Sequence, residues 1–200
     1  MVVYYKDINR GDLMRKKDDE KEKSIKEAVI KLILLEGFHG TSISKIAKEA
    51  GVSPATVYIY YDSKEIMLQN IYREYSEEIY SNLLNRVHKG MAGQQLIEIL
   101  VRSYYTYIQE NKEIFNFVDQ FSHCPSLACG CSEVKGILNI NNLIIELKNN
   151  NIIKDYNNDN LLAIMFYPIK AIAVNNHKTE EERADLLKEM IEIIQAALLR

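Results

Sequence analysis

The sequence predicts an all-α protein in which a three-helix helix-turn-helix module precedes a larger helical module. Apolar residues recur at helical spacing through most of the 200 residues, whereas the alternation of Val, Ile and Thr that indicates strands is missing. Only 8 glycines and 3 prolines interrupt the pattern. We expect a tail at residues 1–18, the first module at 19–80 and the second at 81–200.

Residues 1–18 are expected to be an amino-terminal extension and basic tail, in which residues 1–13 have no function if translation begins at Met14. Codons for Arg10-Gly11-Asp12-Leu13 can resemble the purine-rich sequence that recruits ribosomes ahead of a start codon, here Met14. Either Met1 or Met14 is then the true start. A start at Met14 makes Arg15-Lys16-Lys17 a basic tail, which is either a solvated charge cluster or a phosphate-contacting arm.

The first helix is amphipathic and stops at two glycines. Gly37 and Gly40 flank Phe38 and His39 where the apolar periodicity ends, and glycine is common at helix ends. The apolar face of this helix consists of Ile25, Ala28, Val29, Leu32, Ile33 and Leu35.

Two short helices around one tight turn come next. Apolar residues between Ile43 and Ala50 recur at i, i+3, i+4 and i+7, which is one face of a helix, and Thr41 or Ser42 can cap it. Gly51 is expected to end this helix in the left-handed conformation that glycine adopts without strain.

The third helix is predicted to begin at Pro54 with Ser53 as its N-cap, because a proline in the first turn loses no hydrogen bond. Its inward side needs only Val57 and Tyr61. The outward side chains are Ala55, Thr56, Tyr58, Ile59 and Tyr60. A helix this short with so much outward surface is typical of one that enters the major groove of DNA.

The segment from Ile25 to about Ile71 resembles the DNA-binding domain of the TetR, or tetracycline-repressor-like, family of transcriptional regulators. The matching residues are Glu36-Gly37-Phe38, Thr41-Ser42-Ile43, Ile46-Ala47, Ala50-Gly51-Val52-Ser53, Thr56-Val57-Tyr58, Tyr61, Ser63-Lys64-Glu65 and Leu68. The resemblance implies a repressor whose second module binds a ligand and forms the dimer.

The predicted DNA contacts fall into three groups. Lys64 is expected to hold a phosphate together with the free amides at the start of the fourth helix. Hydroxyl donors to the DNA backbone are Thr41, Ser42, Ser44, Tyr58 and Tyr60. Base edges are expected to meet Lys45, Pro54, Ala55, Thr56 and Ile59. A net charge of −3, with a balance of only +1 over residues 15–75, predicts modest non-specific binding.

The second module reads as a series of helices with a pocket. Ser63 caps a long fourth helix that links the modules, and five more are predicted at Gln94–Glu110, Lys112–Phe121, Ser132–Asn149, Asp159–Asn176 and Thr179–Arg200. Large aromatic side chains and buried tyrosine hydroxyls indicate a pocket with apolar walls and a few polar groups. Its expected lining is Tyr104, Tyr105, Tyr107, Phe117, Phe121, Met165 and Phe166.

All 3 cysteines fall beside a histidine in one short segment, His123, Cys124, Cys129 and Cys131. Thiolates and an imidazole are ligands for zinc, and paired thiols can form a redox switch. The C-x-C spacing does not match the paired C-x2-C units of structural zinc sites, so three free thiols in a loop are the first expectation.

The last two predicted helices carry more apolar surface than one subunit requires. Paired with their two-fold mates, they would form a four-helix bundle. The expected interface residues are Phe166, Ile169, Leu187, Met190, Ile194 and Ala197.

Taken together, these patterns predict a cytoplasmic homodimer that binds a palindromic operator in double-stranded DNA and is released by an unidentified small molecule. One alternative keeps the fold and senses a metal or an oxidant through the cysteine segment. Another class is a metal-binding helical protein or enzyme with a purely structural turn. The sequence shows no catalytic constellation, phosphate-binding loop, secretory signal or membrane span, so neither enzymatic activity, a cofactor nor a membrane partner is expected.

Overall fold

The computed structural model describes residues 10–88, 90–122 and 135–200, with side chains described from Asp18 onward. The predicted all-α class is confirmed. The helices of the described part are α1 (Arg10–Gly40), α2 (Ile43–Glu49), α3 (Pro54–Tyr60), α4 (Lys64–Leu84), α5 (Gly93–Glu110), α6 (Lys112–Phe121), α7 (Lys135–Asn149), α8 (Asn158–Ala173) and α9 (Glu180–Leu198). None of these helices combines the length and the apolar character that crossing a membrane requires.

The chain divides into two compact units, Met1–Ile71 and Tyr72–Arg200. The division falls inside α4, which is continuous from Lys64 to Leu84. The boundary expected from the sequence, after residue 80, lies farther along the same helix.

The first unit is built from α1, α2, α3 and the start of α4. The helical path of α1 is interrupted by a kink at Gly37, whose φ of 71° lies in the left-handed region, and the short helical segment 38–40 after the kink leads to α2. Helix α2 packs against both α1 and α3. The core of this unit consists of Ile25, Ala28, Val29, Leu32, Ile33, Ile46, Ala47, Val57, Tyr61, Met67, Leu68 and Ile71.

The second unit centres on α5, which packs against α6, α8 and α9, while α8 and α9 also pack against each other. Helix α8 contains Pro168 in its interior. Beyond α9, Leu199 pairs with Ile153 in an isolated antiparallel bridge, and the Lys154 amide donates to the Leu198 carbonyl at 2.8 Å. These bonds attach the carboxyl terminus to the loop that precedes α8.

Three residues expected at the dimer interface are instead part of the chain's own core. Ile169, Leu187 and Ile194 are buried where α8 and α9 pack within the unit. That part of the prediction was wrong, because α9 carries two adjacent apolar stripes and the buried one faces the chain's own helices. Phe166, Met190 and Ala197 are half-buried.

Candidate nucleic-acid interface and ligand cavity

The turn between α2 and α3 is held by short-range hydrogen bonds. Gly51 has a φ of 68°, and the amide of Val52 reaches back to the Ala47 carbonyl at 2.9 Å. Ser53 caps α3, because its hydroxyl accepts from the amide of Thr56 at 3.1 Å. Pro54 occupies the first turn of α3, as predicted. The angle between the two helices is therefore encoded by four consecutive residues.

The outward face of α3 has the composition expected of a surface that another molecule covers. Val57 is fully buried and fixes the inner side of the helix, while Ile59 is 79% exposed and Tyr58 is also exposed. Ala55 is exposed beside them, and Thr56 is half-buried with its hydroxyl 2.9 Å from that of Ser53. A large aliphatic side chain this exposed contributes nothing to the fold of its own unit.

Tyr60 lies at the end of α3 and contacts the amino-terminal half of α1. Its hydroxyl donates to the Asp18 carbonyl oxygen at 3.2 Å. Partial burial and the nearby carboxylates of Asp18 and Glu22 raise the pKa of Tyr60, so the phenol keeps its proton. This contact ties α3 to α1 within the first unit.

The residues expected to contact DNA at and before α2 differ in their burial and in their hydrogen-bond partners. Thr41 is buried and its hydroxyl donates to the Gly37 carbonyl at 2.9 Å, so it stabilises the end of α1. Ser42 is the N-cap of α2 and accepts from the Lys45 amide. Ser44 is exposed. The Lys45 ammonium is bound to the Glu36 carboxylate at 2.6 Å and to the Gly40 carbonyl at 2.8 Å.

Lys64 joins the first turn of α4 to the α1–α2 connection. Its ammonium donates to the carbonyl oxygens of Phe38 at 2.9 Å and Thr41 at 3.0 Å, and it lies 3.9 Å from the centre of the Phe38 ring. An ammonium has three donors, and two of them are used inside the unit. No local sequence pattern indicates this anchoring, and the expected phosphate contact of Lys64 stays a prediction.

The family model for bacterial regulatory proteins of the tetR family matches residues 25–71. Residues 25–71, which include α2 and α3, are therefore similar to the regulators of the tetR family. The match covers the helix-turn-helix described above and the start of α4. The predicted resemblance is thus confirmed.

Known transcriptional regulators extend this comparison over different lengths. The uncharacterized HTH-type transcriptional regulator YuxN of Bacillus subtilis is 33% identical over 97 residues, which are 48% of this chain and 33% of that protein, so the match spans about a third of its length. A TetR family transcription regulator from Marinobacter aquaeolei VT8 is 26% identical, with a TM-score of 0.77, over 93% of this chain and all of that one. The Bacillus subtilis regulator FadR, solved in complex with stearoyl-CoA, is 20% identical over 87% of this chain and 97% of its own, with a TM-score of 0.69.

The second unit of the chain contains a cavity of about 540 Å³. Helices α4 to α8 all contribute to its wall, and two of the seven expected residues, Tyr104 and Phe166, line it. Burial, reinforced by the nearby Asp119 carboxylate, raises the pKa of Tyr104 well above its usual range, so its hydroxyl stays neutral.

The other five expected pocket residues do not line this cavity. Tyr107 is buried and donates to the Glu78 carboxylate at 3.1 Å, while Phe117 and Phe121 pack on each other with ring centres 5.0 Å apart. Tyr105 and Met165 are also absent from the cavity wall. A place in a ligand pocket stays a prediction for these five, because aromatic composition marks a core and a cavity equally well.

The sequence reasoning missed the face of α4 that lines the cavity. It comprises Tyr72, Ser76, Ile79, Tyr80 and Leu83. Their spacing of i, i+4, i+7, i+8 and i+11 was a readable signal for one face of a helix. The cysteine segment His123, Cys124, Cys129 and Cys131 lies outside the described residues, and no group of metal-binding side chains is found within them.

Proposed function

We propose that this protein is a DNA-binding transcriptional regulator, most simply a repressor, that binds a palindromic operator as a homodimer and is released by a small molecule. The observation that carries the proposal is the exposed face of α3, presented by a turn whose caps fix its direction. A helix-turn-helix places such a helix in the major groove. A regulator of this kind would act in the cytoplasm, where the DNA is.

Ligand control is supported by the cavity in the second unit and by the stearoyl-CoA bound to FadR, a protein of the same fold. A cavity of about 540 Å³ lies in the range of small-molecule sites, which are commonly about 300–1,000 Å³. The size of the cavity and the fold therefore both support a small-molecule effector. Which effector binds depends on the residues that line the cavity.

The direct test is selection of bound fragments from the source genome by the purified full chain. We expect recovered fragments to share an inverted repeat whose half-sites are about one helical turn apart, because two symmetric heads enter successive major grooves. Gel-shift titration against a version with scrambled half-sites supplies the control. Equal affinity for both sequences would overturn the proposal.

The dimer is proposed to form through partly exposed stripes on α8 and α9. Exposed residues on α8 and its C-cap are Ile164, Tyr167, Ala171 and Val174; on α9 the exposed Ile193 lies among the half-buried Leu186, Met190 and Ala197. Each stripe repeats at helical spacing on a face that the chain's own core covers only in part. Two helices from each protomer would bury these stripes in a four-helix interface.

We expect Ile193→Asp to convert the dimer into a monomer, because Ile193 is 50% exposed in the single chain and a carboxylate would be desolvated at the interface. The matched control is Ile145→Asp on α7, where the same residue type is 48% exposed. Sedimentation equilibrium measures both masses. A dimer of unchanged strength in the Ile193→Asp variant would contradict this interface.

A further inference from the structure

We infer that the cavity of the second unit receives an uncharged amphiphile, whose polar atom completes the hydrogen bonding of the Ser76 hydroxyl. This inference rests on the proposed ligand response and names the chemical class of the effector. Three features of the cavity wall support it. They are a hydroxyl without a hydrogen-bond partner, apolar side chains around that hydroxyl, and a lysine that is already paired with a carboxylate.

The unpartnered hydroxyl is the most specific of these features. Ser76 lines the cavity, is 4% exposed, and its side-chain oxygen has no hydrogen-bond partner among the described residues. Buried polar groups are paired in the great majority of proteins, and leaving one unpaired destabilises the fold. A ligand atom that donates to or accepts from this hydroxyl would remove that penalty in the bound state only.

The surroundings of Ser76 are apolar and aromatic. On α4 its neighbours along the cavity face are Tyr72, Ile79 and Tyr80. Phe115 and Phe166 lie against the ring of Tyr104 from α6 and α8, with ring centres 5.8 and 5.0 Å apart. A hydrocarbon or aromatic ligand body would gain free energy from the area it removes from water here.

The described lining residues offer no unpaired cation to an anionic ligand. Lys170 is the only cation among them, and its ammonium is bound to the Asp119 carboxylate at 2.5 Å. The other charge among them is the Asp159 carboxylate in the first turn of α8; it is exposed, and water screens its attraction for a cationic head group. An anionic head group would have to displace Asp119 from Lys170, and a cationic one would meet Lys170 itself. An uncharged polar group neither has to break the Lys170–Asp119 ion pair nor is repelled by Lys170.

A second buried serine provides a matched control. Ser103 on α5 is 3% exposed and its hydroxyl is also without a partner, but it does not line the cavity. Replacing either serine by Ala removes an unsatisfied hydroxyl and one oxygen atom, so both variants are expected to fold with unchanged or slightly raised thermal stability. Only the Ser76 variant should alter ligand binding.

The experiment measures displacement of the neutral fluorophore N-phenyl-1-naphthylamine from the full-length protein by three compounds with the same alkyl chain. We expect decan-1-ol to bind at least about tenfold more tightly than decanoate or decyltrimethylammonium, since each charged head must be desolvated without a partner. Ser76→Ala should weaken decan-1-ol binding about fivefold, the effect of one hydrogen bond, and leave fluorophore binding unchanged. Ser103→Ala should match the wild type.

Several results would overturn the inference: no binding of the neutral fluorophore, tighter binding of either charged compound, or equal decan-1-ol affinity in the two serine variants. The assay contains no DNA, so its outcome is separate from that of operator binding. Operator binding with charge-selective ligand uptake would refute this inference alone, whereas Ser76-dependent uptake without operator binding would refute the proposed function alone.

Discussion

We expect Ile59→Asp to weaken binding to the selected operator at least about 100-fold without changing thermal unfolding. Ile59 is 79% exposed on α3, so its side chain contributes no packing whose loss would destabilise the unit. On the DNA, a carboxylate would remove apolar contact with base methyl groups and add repulsion from phosphates. A 100-fold loss corresponds to about 2.7 kcal/mol, and like-charge contacts in interfaces cost several kcal/mol.

The matched control for this variant is Leu35→Asp. Leu35 belongs to the same unit and is 72% exposed, but it lies on α1. Both variants make the same change of net charge, so any general electrostatic effect appears in both. Gel-shift titration at fixed salt should show a large loss for Ile59→Asp and a small one for Leu35→Asp. Equal losses would mean that α3 does not read the DNA.

The second large effect is expected at Gly136, near the start of α7. A Cβ added at Gly136 would lie 2.2 Å from the Tyr80 Cβ, which no rotation of the tyrosine side chain can move, and 3.0 Å from its Cγ. The Gly136 amide also donates to the Glu77 carboxylate at 2.8 Å. Gly136→Ala should therefore separate α7 from α4 and destabilise the protein by about 2–3 kcal/mol.

Gly93→Ala is the control for Gly136→Ala. Its added Cβ would meet the methyl ends of Ile152 at 2.6 Å and Leu199 at 2.8 Å, which can move by changing rotamer. Thermal denaturation should show the melting temperature falling by several degrees more for Gly136→Ala than for Gly93→Ala. Because Tyr80 also lines the cavity, fluorophore binding should fall in the Gly136 variant. Equal stabilities would show that α7 tolerates displacement at no cost.

The first unit was predictable almost residue by residue because its signals are local. Ser53, Pro54 and Gly51 each fix the backbone within a few positions, and the structure contains the predicted cap, first-turn proline and left-handed glycine. Helix α6 also has bounds identical to the expected Lys112–Phe121, although its N-cap residue Asn111 makes no side-chain capping bond. Such signals do not depend on what the rest of the chain does.

The wrong predictions concern residues whose burial depends on which other helix packs against them. On α9, Ile193 and Ile194 are adjacent, equally apolar and about 100° apart around the axis, yet the first is half exposed and the second is buried. Periodicity identifies two apolar stripes there without saying which faces the chain's own core. Lys64 is a similar case, because its two carbonyl partners come from a connection more than twenty residues earlier.

Pro168 gives one wall of the cavity a mechanical property that the others lack. Proline has no amide hydrogen, so the carbonyl of Ile164, four residues earlier in α8, lacks the backbone hydrogen bond that it would otherwise accept. Bending therefore costs less at this point, and the residues on either side, Tyr167 and Lys170, both line the cavity. A ligand cavity in which one helix bends easily can accommodate molecules of different lengths while its other walls stay in place. Such a cavity would bind a wider range of ligand sizes than a rigid one.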